Sequence, residues 1–295
     1  MSKSPYILLV EKGRPPFSRT EISGLGEGRD FKEKAVFLAQ LQESRERHER
    51  AVSEIEALFK GRGWAYDLIN RADYNGPQGH NLIVTIGGDG TVLAASHKTL
   101  DIPLIGINSD PERSVGYFCA ARVEGAEKTF DAYIRGSLKL FKLHRLKIEI
   151  DGEACGPPAL NDVLVANCNP AATTRYSLVA GDRTERHRCS GLWISTAAGS
   201  TAGIRSAGGA VLPLHMPLLQ YLVREPVISP LAHYELLRGV RNLDEGIVVM
   251  SEMYEGFVYV DGPYEKIPFR MGSKMVISAH TPLQLLGLEP GRRER

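Results

Sequence analysis

The run Leu82-Ile83-Val84-Thr85-Ile86-Gly87-Gly88-Asp89-Gly90-Thr91-Val92-Leu93 constrains this chain more than any other stretch, because a strand pattern passes without a spacer into three glycines around one carboxylate. The β-branched residues Ile83 to Ile86 favour a strand buried on both faces. Thr91-Val92-Leu93-Ala94-Ala95 reads as the start of a helix. Glycines at a strand's carboxyl end let backbone N–H groups and a helix N-terminus approach a polyanion closely. The turn can therefore cradle phosphates while Asp89 points at whatever reacts beside them. The plainer reading is a tight turn in which Asp89 caps the helix.

Composition narrows the classes. At 295 residues with 43% hydrophobic side chains, two domains with separate cores are expected. Lys plus Arg number 36 against 35 for Asp plus Glu, which argues against a protein that coats nucleic acid. Cys119, Cys155, Cys168 and Cys189 form no Cys-x-x-Cys pair, so neither a disulfide framework nor a structural zinc site is expected, and a reducing cytoplasm fits best. No secretory h-region or apolar run of about 18 residues stands out, so no membrane partner is expected.

Along the chain, Tyr6–Val10, Trp64–Ile69, Leu82–Ile86 and Pro103–Ile107 read as strands. A charged helix runs from Asp30, a plausible N-cap, to Lys60, with Val36, Leu38, Leu41, Val52, Ile55, Leu58 and Phe59 apolar and Gly61 and Gly63 as stops. Its Arg45-Glu46-Arg47-His48-Glu49-Arg50 section reads as a solvated face, and Glu11–Arg29 as a loop. This order suggests a parallel sheet covered by helices, whose ligands sit at the strands' carboxyl ends, where Asp89 and Asn108 fall. Beyond residue 143 the texture becomes short alternating strands: Lys147–Ile150, Val163–Ala166, Tyr176–Ala180, Leu192–Ser195, Ile247–Met250, Phe257–Val260 and Met275–Ser278. The expected organisation is an α/β domain over residues 1–142 and a β-rich, sandwich-like domain over 143–278. Residues 279–295 then return to the first domain.

A second glycine-rich cluster spans Cys189-Ser190-Gly191-Leu192-Trp193-Ile194-Ser195-Thr196-Ala197-Ala198-Gly199-Ser200-Thr201-Ala202-Gly203-Ile204-Arg205-Ser206-Ala207-Gly208-Gly209, preceded by Leu160-Asn161-Asp162-Val163. With Gly87–Thr91 and Gly106-Ile107-Asn108, this order of motifs resembles the NAD kinase family over about residues 80–262. Asn108-Ser109-Asp110-Pro111-Glu112-Arg113-Ser114, Ser190-Gly191-Leu192 and Tyr221-Leu222-Val223-Arg224-Glu225-Pro226 look nearer the plant NADH kinases and the mitochondrial-type NAD kinases. The resemblance implies the α/β plus β-rich fold shared with diacylglycerol kinases. It also implies phosphorylation of the adenosine-ribose 2′-hydroxyl of NAD⁺ or NADH, with ATP as the expected donor. Mg²⁺ would arrive with the ATP, and a homo-oligomer is expected.

Carried over position by position, Asp89 would be the catalytic carboxylate, with Gly88, Gly90 and Thr91 near the phosphates and Tyr117 beside the adenine. Asn161 and Asp162 match a pair that holds a ribose, Thr201, Ala202, Gly203 and Ser206 match dinucleotide-lining positions, and Arg188 matches a polar contact. Three positions depart from the family pattern: Asp162 stands where Glu is usual, Ser190 where Asp is common, and Gly203 where a Tyr that packs against substrate is usual. The first two departures also occur in the plant pattern. Other residues read more plainly: His215 and His233 as surface residues, Trp64 and Trp193 as core, and Arg113, Arg175, Arg205 and Arg224 as solvated charges or structural pairs. Ser200 lacks the Gly-x-Ser-x-Gly elbow of a nucleophile. No dedicated metal-ligand set is visible. The alternatives are a lipid kinase of the diacylglycerol or sphingosine type, which shares the Gly-Gly-Asp-Gly-Thr turn, and an inactive dinucleotide-binding protein.

Overall fold

The computed structural model describes residues 4–13, 31–228, 233–263 and 265–288, with side chains from residue 36 onward in the first helix. The chain divides into two units, Met1–Phe141 with Gln284–Arg295, and Lys142–Leu283. In chain order the first unit holds β1 (Tyr6–Glu11), α1 (Phe31–Gly61), β2 (Ala65–Asn70), β3 (Leu82–Gly87), α2 (Asp89–Ser96), β4 (Leu104–Asn108), β5 (Cys119–Arg122) and α3 (Ala126–Ile134). The strands lie side by side as β2-β1-β3-β4-β5, all parallel.

Every residue of β3 and β4 is buried, as a β-branched run in a sheet covered on both faces requires. Ala51, Val52, Ile55 and Phe59 of α1 pack with Ile7, Leu9, Val84, Ile86, Ile105 and Ile107 of the sheet. Phe59 and Trp64 each meet Phe130 edge to face, with Phe59 and Phe130 centroids 5.1 Å apart, which ties α1 to α3. The long helix stops where Gly63 takes φ +65° and its N–H bonds to the Lys60 carbonyl.

The second unit follows with β6 (Leu140–Ile150), β7 (Glu153–Ala154), β8 (Asp162–Asn167), β9 (Thr174–Ala180), β10 (Arg183–Cys189), β11 (Gly191–Thr196), α4 (Gly203–Ser206), β12 (Leu218–Arg224), β13 (Arg238–Asn242), β14 (Ile247–Ser251), β15 (Gly256–Val260), β16 (Glu265–Pro268) and β17 (Lys274–Leu286). Six antiparallel strands form one sheet in the order β13-β12-β11-β8-β15-β16. Opposite it, β10-β9-β14-β17 run antiparallel, with β6 on β17. Val163, Val165, Leu192, Ile194, Leu219, Val258 and Val260 of the first sheet meet Tyr176, Leu178, Ile247, Val249, Met275 and Ile277 of the second in one core. That is a β-sandwich, and alternation turns Asp162, Leu164, Trp193, Ser195 and Tyr259 to the other face of the six-stranded sheet. The last residues of β17 belong to the first unit, where Leu285 pairs parallel with Leu104.

The α/β plus β-rich architecture is thus the one that the periodicity of the sequence predicts. Two local expectations fail. The Arg45–Arg50 section is not wholly solvated: His48 is buried, and Arg47 turns inward to bond Asp110 at 2.9 Å. Trp193 is not a core side chain, because it lies on the outward face of its sheet and is partly exposed. The expected cap Asp30 and most of the Glu11–Arg29 loop lie outside the described residues.

Candidate functional site

In the first unit the site starts at the carboxyl end of β3. Gly88 is the N-cap of α2, and no side chain caps the helix. Asp89 therefore does not cap. It is the first helical residue, partly buried, and its Oδ1 accepts a hydrogen bond of 2.8 Å from the Phe118 backbone N–H. Gly87 and Gly88 are required by contact. A Cβ on Gly87 would collide with the Thr91 hydroxyl, and one on Gly88 would meet Ser114 Cβ at 2.7 Å. Gly90 is exposed, and a Cβ there would stand 3.6 Å from an Arg71 guanidinium nitrogen. Thr91 is buried against Gly87, and its hydroxyl has no hydrogen-bond partner among the described residues. Its placement is that of a packing residue under the loop.

The segment that grips Asp89 is itself fixed. Asn108, buried at the end of β4, donates to the Ser114 carbonyl at 2.9 Å and accepts from the Asp110 N–H at 3.1 Å. Asp110 is tied to Ser44 and Arg47 of α1, and Arg47 also reaches Glu112 at 3.2 Å. His48 lies 3.0 Å from the Ser109 hydroxyl. Burial first, and then the nearby Lys12 charge, push His48 down to about 4, so its ring is neutral at pH 7. Helix α1 thereby pins residues 108–114, which lead to partly exposed Tyr117 and to Phe118.

In the second unit, Asn161 and Asp162 open β8. The Asp261 carboxylate, at the end of β15, accepts from the N–H groups of Leu160 (2.8 Å), Asn161 (2.7 Å) and Asp162 (3.0 Å). Asp261 does so at φ +51°, a conformation that short polar side chains tolerate. Asp162 is 6% exposed. Burial, and then the Asp261 charge, raise its carboxyl to about 7. The Gly-rich segment folds back over the same sheet face: a Cβ on Gly199 would overlap the Asn161 carbonyl, and Ser200 Oγ accepts from the Leu212 N–H at 3.0 Å. Thr201, Ala202 and Gly203 are partly exposed and Ser206 is exposed. Gly203 lies beside the Trp193 indole. Arg188 is exposed on β10, shortly before β11.

Within the first unit the loop residues Gly88, Asp89 and Gly90 thus come together with the segment around Tyr117. Within the second, Asn161 and Asp162 come together with the Gly199–Gly203 segment. Two contributors were not singled out from the sequence. Arg71 follows β2 at the carboxyl edge of the parallel sheet, and only that position signals it. Asp261 is followed by glycine after a strand, which marks a turn and not a carboxylate that organises β8. His215 and His233 are exposed. Among the described residues, no three His, Cys, Asp or Glu gather as a metal-ligand group.

A family model described as ATP-NAD kinase N-terminal domain matches residues 29–138. The chain is 32% identical to the NADH kinase of Arabidopsis thaliana over 99% of its own length and 98% of that protein. It is also 32% identical to a probable NADH kinase of Oryza sativa subsp. japonica, covering 80% of each chain. Among solved structures, yeast NADH kinase complexed with NADH superposes with a TM-score of 0.71 at 16% identity, over 99% of this chain and 86% of that one. An NAD kinase from Archaeoglobus fulgidus in complex with ATP superposes at 0.69 and 20% identity, over 97% and 95%. The chain belongs to the NAD kinase family.

The Asp162 geometry fixes a pH dependence. With a folded value near 7 and an unfolded value near 3.8, Asp162 keeps a proton in the fold that the unfolded chain has lost between those pH values. The penalty for ionising it therefore grows as pH rises from about 4 to 7 and is complete above 7. Asp162→Asn should raise Tm by several degrees at pH 8 and change it little at pH 4. Calorimetry that finds equal shifts at both pH values would refute the assignment.

Proposed function

We propose that this chain transfers the terminal phosphoryl group of ATP to the 2′-hydroxyl of the adenosine ribose of NAD⁺ or NADH, with Asp89 receiving the hydroxyl proton. In this step the ribose oxygen forms a bond to the γ-phosphorus, the bond from that phosphorus to the β–γ bridging oxygen breaks, and ADP leaves. The observation that carries the reading is the placement of Asp89: partly exposed, in the first turn of α2, aimed by the Phe118 N–H and flanked by glycines. Phosphoryl transfer needs position and charge compensation more than covalent chemistry from the protein. The N-terminal end of α2 favours anions through its helix dipole, and Gly88 and Gly90 let phosphate oxygens come to the backbone. The Arg71 guanidinium beside Gly90 adds positive charge. A Mg²⁺ ion arriving with the ATP would add to this charge neutralisation.

On the second unit the reading gives Asn161 and Asp162 the ribose, and Thr201, Ala202 and Ser206 the dinucleotide lining, with Arg188 as a polar contact. Tyr117 of the first unit is assigned to the adenine. Ser190, neutral where an acid is common, removes a charge that would favour the cationic nicotinamide ring. NADH should therefore be used at least as readily as NAD⁺. A homo-oligomer in the cytoplasm completes the reading; no described helix is long and apolar enough to cross a membrane.

Two measurements test it. Asp89→Asn should fold normally and lose kcat by about 10²- to 10⁴-fold in an assay for the 2′-phosphorylated dinucleotide; near-native turnover would remove Asp89 from the mechanism. The ratio of kcat/KM for NADH to that for NAD⁺ should be one or greater, and a strong preference for NAD⁺ would count against the role given to Ser190.

A further inference from the structure

Trp193 stands directly opposite Leu164 of β8 and Leu222 of β12, and Tyr259 of β15 stands opposite Leu164 in turn. Leu192, Ile194, Val163 and Val258 point into the sandwich core, so this row occupies the outward face of the sheet. There Trp193, Tyr259, Leu164 and Asp162, with the turn residues Gly262 and Pro263, line a cavity of about 320 Å³ whose walls are almost wholly apolar. The indole is partly exposed and forms one wall of this cavity. Its position depends on Gly203. A Cβ there would stand 3.0 Å from Cη2 and 3.2 Å from Cζ2 of the indole, so a larger residue would have to displace the ring. The Arg224 guanidinium, 5.9 Å from the ring centroid, adds a cation–π contact that helps to hold it.

We infer that Trp193, seated over Gly203, is the stacking platform for a flat ring of the dinucleotide, which enters the cavity between Trp193 and Tyr259. The occupant follows from continuity and from chemistry. The cavity begins at Asp162 and its Trp193 wall touches Gly203, the two segments to which the kinase reading assigns the dinucleotide. Two aromatic side chains in an apolar slot suit a planar π system, with edge polar groups met at the rim. Trp193 is thus a substrate-binding and specificity residue that becomes available because position 203 carries no side chain. The inference rests on the kinase reading for the identity of the ligand, but its test reads binding separately from turnover.

Trp64→Phe leaves Trp193 as the single tryptophan of the chain. In that protein, NADH should quench Trp193 emission saturably. AMP and nicotinamide mononucleotide, titrated separately, assign the ring. In the otherwise unmodified protein, Trp193→Leu should raise the KM for the dinucleotide about three- to tenfold and change kcat less, while Trp193→Phe recovers most of the loss. Gly203→Ala should raise KM in the native background and not in the Trp193→Leu background. Emission unchanged at NADH concentrations that saturate turnover would overturn the platform, as would a Trp193→Leu variant with native KM. Quenching by dinucleotide without any turnover would leave the platform standing and remove the kinase reading instead.

Discussion

One hydrogen bond, from the Phe118 N–H to the Asp89 carboxylate, fixes the acid on which the proposed chemistry of the first unit depends. It holds the first residue of α2, which does not cap its own helix, beside the glycine turn that ends β3. The donor is in place because residues 108–118 are fixed from three sides: by Asn108 within the segment, by Ser114 against Gly88, and by Ser44, Arg47 and His48 of α1. A long helix that looks from its sequence like a charged surface thus backs the segment that holds Asp89. The neutral His48 and the Asp110–Arg47 pair are two ways of satisfying polar groups in the same buried seam, one uncharged and one paired.

The second unit uses an acid in the opposite sense. Asp261 is satisfied by three backbone N–H groups and fixes the start of β8. Its charge, together with burial, disfavours a second charge on Asp162. Near neutral pH Asp162 is then partly a neutral acid, able to donate as well as accept a hydrogen bond.

The sequence made the scaffold legible wherever burial writes a period. The β-branched run before Gly87 favours a doubly covered strand and forms one, and the alternating segments after residue 143 appear as sandwich strands. β5, β10, β12, β13 and β16 were not read as strands; β10 escaped because Arg183–Cys189 is polar on its outward side and its inward contacts are His187 and Cys189 rather than a clear apolar alternation. The glycine clusters announced close backbone approach but not against what: Gly88 avoids Ser114, Gly199 avoids Asn161, and Gly203 admits an indole. Trp193 was read as core because strand tryptophans usually are, and nothing local in Leu192-Trp193-Ile194 says which face of the sheet the ring takes. Arg71 and Asp261 act through distant partners, Gly90 and the start of β8, and no spacing in the sequence encodes those contacts.

The central claim is that Asp89 meets the hydroxyl to be phosphorylated. The most direct measurement is a crystal structure with NADH and a non-hydrolysable ATP analogue bound, read for the separation between the Asp89 carboxylate and the adenosine-ribose 2′-oxygen. The account predicts hydrogen-bond distance, within about 3.2 Å, with the Phe118 N–H still on the other carboxylate oxygen. A ribose bound well away from Asp89, with another residue at its 2′-oxygen, would contradict it.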